Sequence, residues 1–354
     1  MDLSVLFLPV WLSWLLCFLL PDTVLKEDLS LGLWVVFVLG IDVTHVWSTL
    51  WRTYLSPDDR KHHKRLLLIA PIASLLLVSS ISMVSELLFW SILAYFAIFH
   101  FMKQQVGFMK IYQRKSGIPE VSRLLTHERL IYFSMIMPVL YWHLMPNSAF
   151  KWFDGSSFIT HYFGWDLSIK TLEHIRVGFE IIYWGVIILW IRLIFTTTQF
   201  NLRTVLPMLL WLLSTGINWY LGIVYFNSDV AFSITNIVAH GIPYLVLILW
   251  YRWRKLQLSP KQISIKAPAL ISICLSSILL LALCEEYLWD NAVNLENNLF
   301  FLPEIHDMIH SPTWRAIAIG VLSVPQVAHY IIDGYIWKSN SKNPLLKPII
   351  FGSK

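Results

Sequence analysis

The chain has 354 residues, 56% of them hydrophobic and only 14% charged, where soluble domains carry about 25% charged residues, so a soluble globular domain is excluded. The formal net charge of +5 invites a nucleic-acid partner, which the placement of the basic residues argues against below. Cys17, Cys274 and Cys284 lie in apolar runs without metal-site spacing, which excludes a disulfide framework.

The opening stretch, "MDLSVLFLPVWLSWLLCFLL", has no basic leading region and no small-residue cleavage site, and reads as a retained first span. Runs long and apolar enough to cross a bilayer as helices follow in order at about 3–20, 30–50, 66–84, 87–109, 130–148, 176–195, 204–226, 231–251, 267–284 and 315–337. No repeat period and no likeness between the two halves breaks the chain further. The sequence therefore predicts an all-α polytopic membrane helix bundle of about ten transmembrane helices, a single integral membrane domain over residues 1–354.

Lys and Arg prefer the cytoplasmic side of a membrane. Alternate connecting segments, "WRTYLSPDDRKHHKRL", Lys103 to Arg129, Arg192 to Arg203, "YRWRKLQLSPKQISIK" and the tail after Trp337, hold 22 of the 27 Lys and Arg. The other set holds only Lys26, Lys151, Lys170, Arg176 and Arg315, together with most of the acids, among them Glu285, Glu286, Asp290, Glu296, Glu304 and Asp307. Both termini are expected to be cytoplasmic, in a cell (inner) membrane. The basic excess then reports topology and attraction to anionic lipid, with the bilayer as partner and no nucleic acid.

Four runs carry polar side chains that lipid does not favour. The second has Asp42 and His45, the fourth His100 and Gln104, the eighth Asn236 and His240, and the tenth His329 and Asp333. Each pair is three or four residues apart, hence on one helix face. Counting back from Arg52, Lys110, Arg252 and Lys338 puts the four histidines 7, 10, 12 and 9 residues inside, roughly 10–18 Å deep at the helical rise. They share one layer.

A lone intramembrane Asn, Gln or His is commonly interhelical glue, and Gln104 and Asn236 fit that reading as well as a supporting role. Asp42 and Asp333 are harder to dismiss, because a membrane-embedded carboxylate calls for a named partner. Lys103 is the only cation expected near this depth, so a bound metal ion or proton is the natural counter-charge. The sequence thus nominates His45, His100, His240, His329, Asp42 and Asp333 as metal ligands, with Gln104, Asn236 and His127 in support. His62 and His63 fall in a basic loop; His143, His161, His174, His306 and His310 fall on the other side, too far to join.

Imidazole and carboxylate without thiolate suit iron, zinc, copper or manganese, and helix-bundle di-iron sites bring such residues from several helices at the spacing of "DVTH". The multi-span layout with scattered intramembrane His and Asp resembles the integral-membrane non-haem iron oxygenases and desaturases, in the style of the bacterial carotene-cleaving dioxygenases. The HxxxH and HxxHH boxes of the desaturases are absent, "KHHKR" at 61–65 being the nearest approach. That resemblance implies iron, a lipophilic substrate drawn from the bilayer, a cytosolic electron donor and an oxidoreductase activity. A proton- or ion-coupled transporter and a haem b protein remain open alternatives, the first weakened by the lack of an inverted repeat.

Overall fold

A computed structural model describes residues 2–145, 148–152, 167–197, 202–258, 266–294 and 311–352. Among them every regular element is a helix and none is a strand. In chain order these are α1 (Leu3–Leu19), α2 (Asp22–Lys26), α3 (Leu31–Arg52), α4 (Pro57–His62), α5 (Lys64–Val84), α6 (Glu86–Ser116) and α7 (His127–Leu144). Then come α8 (Ile169–Thr197), α9 (Leu202–Tyr225), α10 (Asp229–Gln257), α11 (Ala267–Val293), α12 (Pro312–Leu322), α13 (Val324–Ile336) and α14 (Leu346–Phe351).

Seven of these, α3, α5, α6, α8, α9, α10 and α11, are long and apolar enough to cross a membrane, and the bent pair α12–α13 would make eight. The chain is an integral multi-pass membrane protein on that count. α1 is apolar but shorter, and α7 is an 18-residue helix outside the group of seven. Each of the ten predicted runs coincides with one of these helices or, for the tenth, with the pair. Several run past the predicted ends: α6 reaches Ser116, so Lys103 and Lys110 sit on helix and not in a loop. The tenth run is not one straight helix. It bends by 42° between α12 and α13, where Pro325 in the first turn of α13 has no N–H to give and crowds the preceding turn.

Two compact units divide the residues: 1–30 with 98–240, and 31–97 with 241–354. The division falls inside α6 and inside α10, so both helices run unbroken through it. In the first unit, Trp11 and Trp14 of α1 donate to Ser214 and Asn218 of α9, at 3.1 and 2.9 Å, and Phe179, Tyr183 and Ile187 of α8 form a core with Phe133, Met137 and Tyr141 of α7. In the second, Val78, Phe89, Leu93, Ile319 and Leu322 form one core, and Leu67, Ala70, Ala328, Ile332 and Ile336 another. Gly320 lets α12 meet α5 closely, since a Cβ there would lie 2.0 Å from Ser79 Oγ.

Prolines inside helices, Pro71, Pro138, Pro207 and Pro243 among them, leave a carbonyl four residues back without its helical donor, and in lipid such a group needs another partner. Three of these carbonyls take a side-chain donor. Tyr54 Oη donates to Leu67 O, orphaned by Pro71, at 2.7 Å. Tyr183 Oη donates to Ser134 O, orphaned by Pro138, at 2.8 Å. Gln105 Nε2 donates to Ala239 O, orphaned by Pro243, at 3.2 Å.

Candidate metal centre

The third of these devices sits beside His240. Pro243 opens the α10 backbone at "AHGIPY", and two consecutive glutamines of α6 serve it: Gln105 holds Ala239 O, and Gln104 Nε2 donates to His240 O at 2.8 Å. This fixes α10 against α6 at His100, whose ring centroid lies 4.9 Å from that of His240 in an edge-on arrangement. Gly241, the next residue, lets α10 approach α3. A Cβ there would fall 2.6 Å from Ile41 Cγ2 and 3.7 Å from His45 Nδ1.

On α3 the backbone is π-helical from Trp34 to Val43, and returns to α-helix at Thr44 just before His45. A π-helical stretch widens the helix and re-aims its side chains. His45 faces His329 of α13 edge-on, with ring centroids 5.1 Å apart. The four histidines are 2%, 7%, 0% and 1% exposed in chain order. Each offers a ring nitrogen, and all four nitrogens lie within 4.8 Å of one another. Around one ion at the usual metal–imidazole distance they would stand about 3.3 Å apart in a tetrahedron, or about 4.1 Å across a plane. Four buried histidines this close can hold a metal ion.

The carboxylates stand back from the group. Asp42 Oδ1 is 3.4 Å from His45 Nδ1, and Asp333 Oδ1 is 3.7 Å from His329 Nδ1, too long for a hydrogen bond. Asp333 reaches its histidine by an indirect route. His329 Nδ1 bonds Thr49 Oγ1 at 2.7 Å, Thr49 Oγ1 bonds Tyr244 Oη at 3.1 Å, and Tyr244 Oη donates to Asp333 Oδ1 at 2.6 Å. With Nδ1–H donated into this relay, Nε2 is the nitrogen of His329 left for an ion, which is how a ligating histidine is oriented and made more basic. Thr49 and Tyr244 were not nominated from sequence. The signal was available, because each lies four residues after a nominated histidine, His45 or His240, on the same helix face.

Arg52 supplies a cation where sequence predicts only Lys103. It is fully buried at the end of α3, where its Nη2 donates to Ile336 O at 2.9 Å and to Asn343 Oδ1 at 3.2 Å. It also pairs with Asp59 at 2.7 Å and lies over the Tyr251 ring at 4.1 Å. It is within electrostatic reach of Asp333 as well, so part of that carboxylate's counter-charge is a side chain. Lys103 is exposed and bonds Tyr132 Oη at 3.2 Å.

The remaining nominees lie as follows. Asn236 is buried on α10 one turn before His240. His127 is fully buried in a network of its own: Nδ1 accepts from Trp190 Nε1 at 3.2 Å, and Nε2 faces Pro119 O at 3.2 Å and Glu120 at 3.7 Å. Burial holds the His127 imidazole below the usual histidine range, against the pull of Glu120 and of the Pro119 carbonyl. His143 and His174 do not belong to the four-histidine group, and His161, His306 and His310 lie outside the described residues. No family model matches the chain, and no characterised protein and no solved structure matches it.

Proposed function

We propose that the chain is a membrane-embedded metal-dependent oxidoreductase, with His45, His100, His240 and His329 holding one ion, non-haem iron favoured, and with a lipophilic substrate that enters from the bilayer. The observation that carries this reading is the convergence of four ring nitrogens from four helices within 4.8 Å. Four neutral imidazoles leave the charge of an ion uncompensated in a low-dielectric layer, which strengthens its hold on an anionic or polarisable fifth ligand. They also suit iron, copper or zinc over magnesium or calcium. Asp42 and Asp333 act here from outside the ligand set, Asp333 through Tyr244 and Thr49. When bound, iron would supply activation of dioxygen against an unreactive hydrocarbon. A dioxygenase of this kind needs no outside electrons, whereas a desaturase or monooxygenase draws two from a cytosolic donor.

The orientation proposed with it places both termini and the basic helix ends in the cytoplasm, in a cell (inner) membrane; a C-terminal reporter read on the outside would overturn it. A haem b reading fits poorly. A porphyrin plane must pass between its two axial imidazoles, and two further imidazoles inside the same 4.8 Å leave it no slot. An ion-coupled transporter keeps one observation in its favour: Asp42 is 31% open beside the buried His45, and within electrostatic reach of Glu285 and Glu286 on α11.

Elemental analysis and an absorption spectrum of the purified protein, after anaerobic loading with ferrous iron, test the reading. One iron per chain without a haem Soret band is expected, and His45→Ala, His240→Ala or His329→Ala should each abolish it. A protein that takes up no iron under these conditions overturns the iron centre. Stoichiometric zinc or copper in its place overturns iron while keeping the four-histidine site.

A further inference from the structure

Only two non-glycine residues among those described have φ above zero, Trp152 at 27° and Asn227 at 49°, and they belong to one structure. Residues 148–152 run along the start of α10. Ser148 Oγ and Phe150 N donate to Asn227 Oδ1, the latter at 2.9 Å. Lys151 N and Trp152 N donate to the Asp229 carboxylate at 3.0 and 2.9 Å. Four donors and two side-chain acceptors hold a five-residue strap in a backbone conformation that Trp seldom adopts. Such strain persists where surroundings over-determine it, and it concentrates at clamps and switches.

What the strap delivers is two aromatic rings. Phe150 is fully buried and meets Phe232 edge-on at 5.1 Å. Trp152 meets the same Phe232 at 5.0 Å and stacks on Phe101 at 6.4 Å with only 13° between the planes. Phe101 in turn lies 4.5 Å from the ring of His240. From Asp229 to His240 is 11 residues of α10, roughly 16 Å. Phe232 and Phe101, with Trp152 above them, fill the way between. Gly222 of α9 keeps this packing dense, since a Cβ there would fall 2.9 Å from Phe232 Cα.

We propose that residues 148–152 are a seal: the strap presses Trp152 and Phe150 onto Phe232 and Phe101 and keeps water at the Asp229 end of α10 from reaching His240. The cluster is then approachable from other directions only, and its chemistry is shielded on this side from an aqueous phase. The seal gives the metal reading a reason for the strap, and rests on that reading only for this purpose; its test does not need a metal.

Amide hydrogen exchange of the full-length protein in lipid nanodiscs tests it, with exchange over 232–240 measured relative to exchange over α5. Trp152→Gly accepts the positive φ and removes the ring. It should raise the relative exchange about tenfold as local opening becomes easier, while Trp152→Phe should restore wild-type behaviour. Asp229→Asn, which weakens the pins and leaves the rings, should raise it by a smaller factor. An unchanged ratio in Trp152→Gly, including one unchanged because the whole protein loosens evenly, overturns the seal. If the wild-type protein binds no metal yet the ratio responds as stated, the metal reading fails and the seal stands.

Discussion

Asp59 is the residue on which the buried charges at the end of α3 depend. Its carboxylate, 6% exposed, is ion-paired with Arg52 Nη1 at 2.7 Å and accepts from Lys255 Nζ at 2.6 Å and Ser56 Oγ at 2.5 Å. Arg52 and Lys255 are themselves 0% and 7% exposed. Asp59→Asn keeps the volume and removes the charge, so buried Arg52 loses its paired carboxylate and buried Lys255 keeps only the exposed Asp58 at 3.5 Å. Breaking a buried pair from one side costs about 3–5 kcal/mol, most of it the isolated charge left behind. Equilibrium unfolding in mixed micelles should show a loss of that size. Burial pushes the Asp59 carboxyl up, but Arg52, Lys255 and Ser56 together outweigh it and hold it below the usual carboxylate range. A depressed folded-state value means that the stabilisation is complete above the unfolded value of about 3.9 and is lost as pH falls through the folded one. The gap between wild type and Asp59→Asn should therefore stay flat from about pH 5 to 8 and close below about pH 4. A cost under about 1 kcal/mol, the range of exposed pairs, or a gap that widens on acidification, would refute the reasoning.

Two further substitutions probe the cluster. Gly241→Ala places a Cβ 2.6 Å from Ile41 Cγ2; overpacking of this kind costs about 1–3 kcal/mol, and because it parts α10 from α3 beside His45, iron retention on dialysis should fall more sharply than the melting temperature. Tyr244→Phe cuts the relay between His329 and Asp333 without altering shape. Its iron affinity, from competition with a chelator, should drop about 10–100-fold as for other partners of ligating histidines, and wild-type affinity would remove Tyr244 and Asp333 from the site together.

Helix placement was legible because apolar runs of bilayer length have few other fates, and the histidine layer because polar residues in such runs are rare enough to count. Less could be seen of how those residues are served. Asp333 looks from sequence like a direct partner of His329, four residues away. The helix surface does bring them near, but at 3.7 Å the bond is not made, and the connection passes through side chains from α3 and α10. Nothing local to "HYIID" encodes that. The same holds for Arg52. It reads as the first residue outside the membrane, yet it is fully buried because Asp59, seven residues on, and Asn343 and Tyr251, distant in sequence, supply its partners.

The helix prolines show where local and distant information meet. Pro71, Pro138 and Pro243 each announce in the sequence which carbonyl will lack a donor, the one four residues back, since the ring cannot offer an N–H. In water that carbonyl could turn to solvent, but in lipid it must find a side chain. The sequence therefore predicts that a donor is needed and at what height, without saying from which helix. Tyr54, Tyr183 and Gln105 fill the three places. Only the third stands beside a nominated site, and there the consequence differs: Gln105 restores the Ala239 carbonyl, its neighbour Gln104 takes the carbonyl of His240 itself, and the ring of His240 is set against His100 on the very helix that carries both glutamines. A polar pair that alone reads as interhelical glue is in this setting the fixture that aims a histidine.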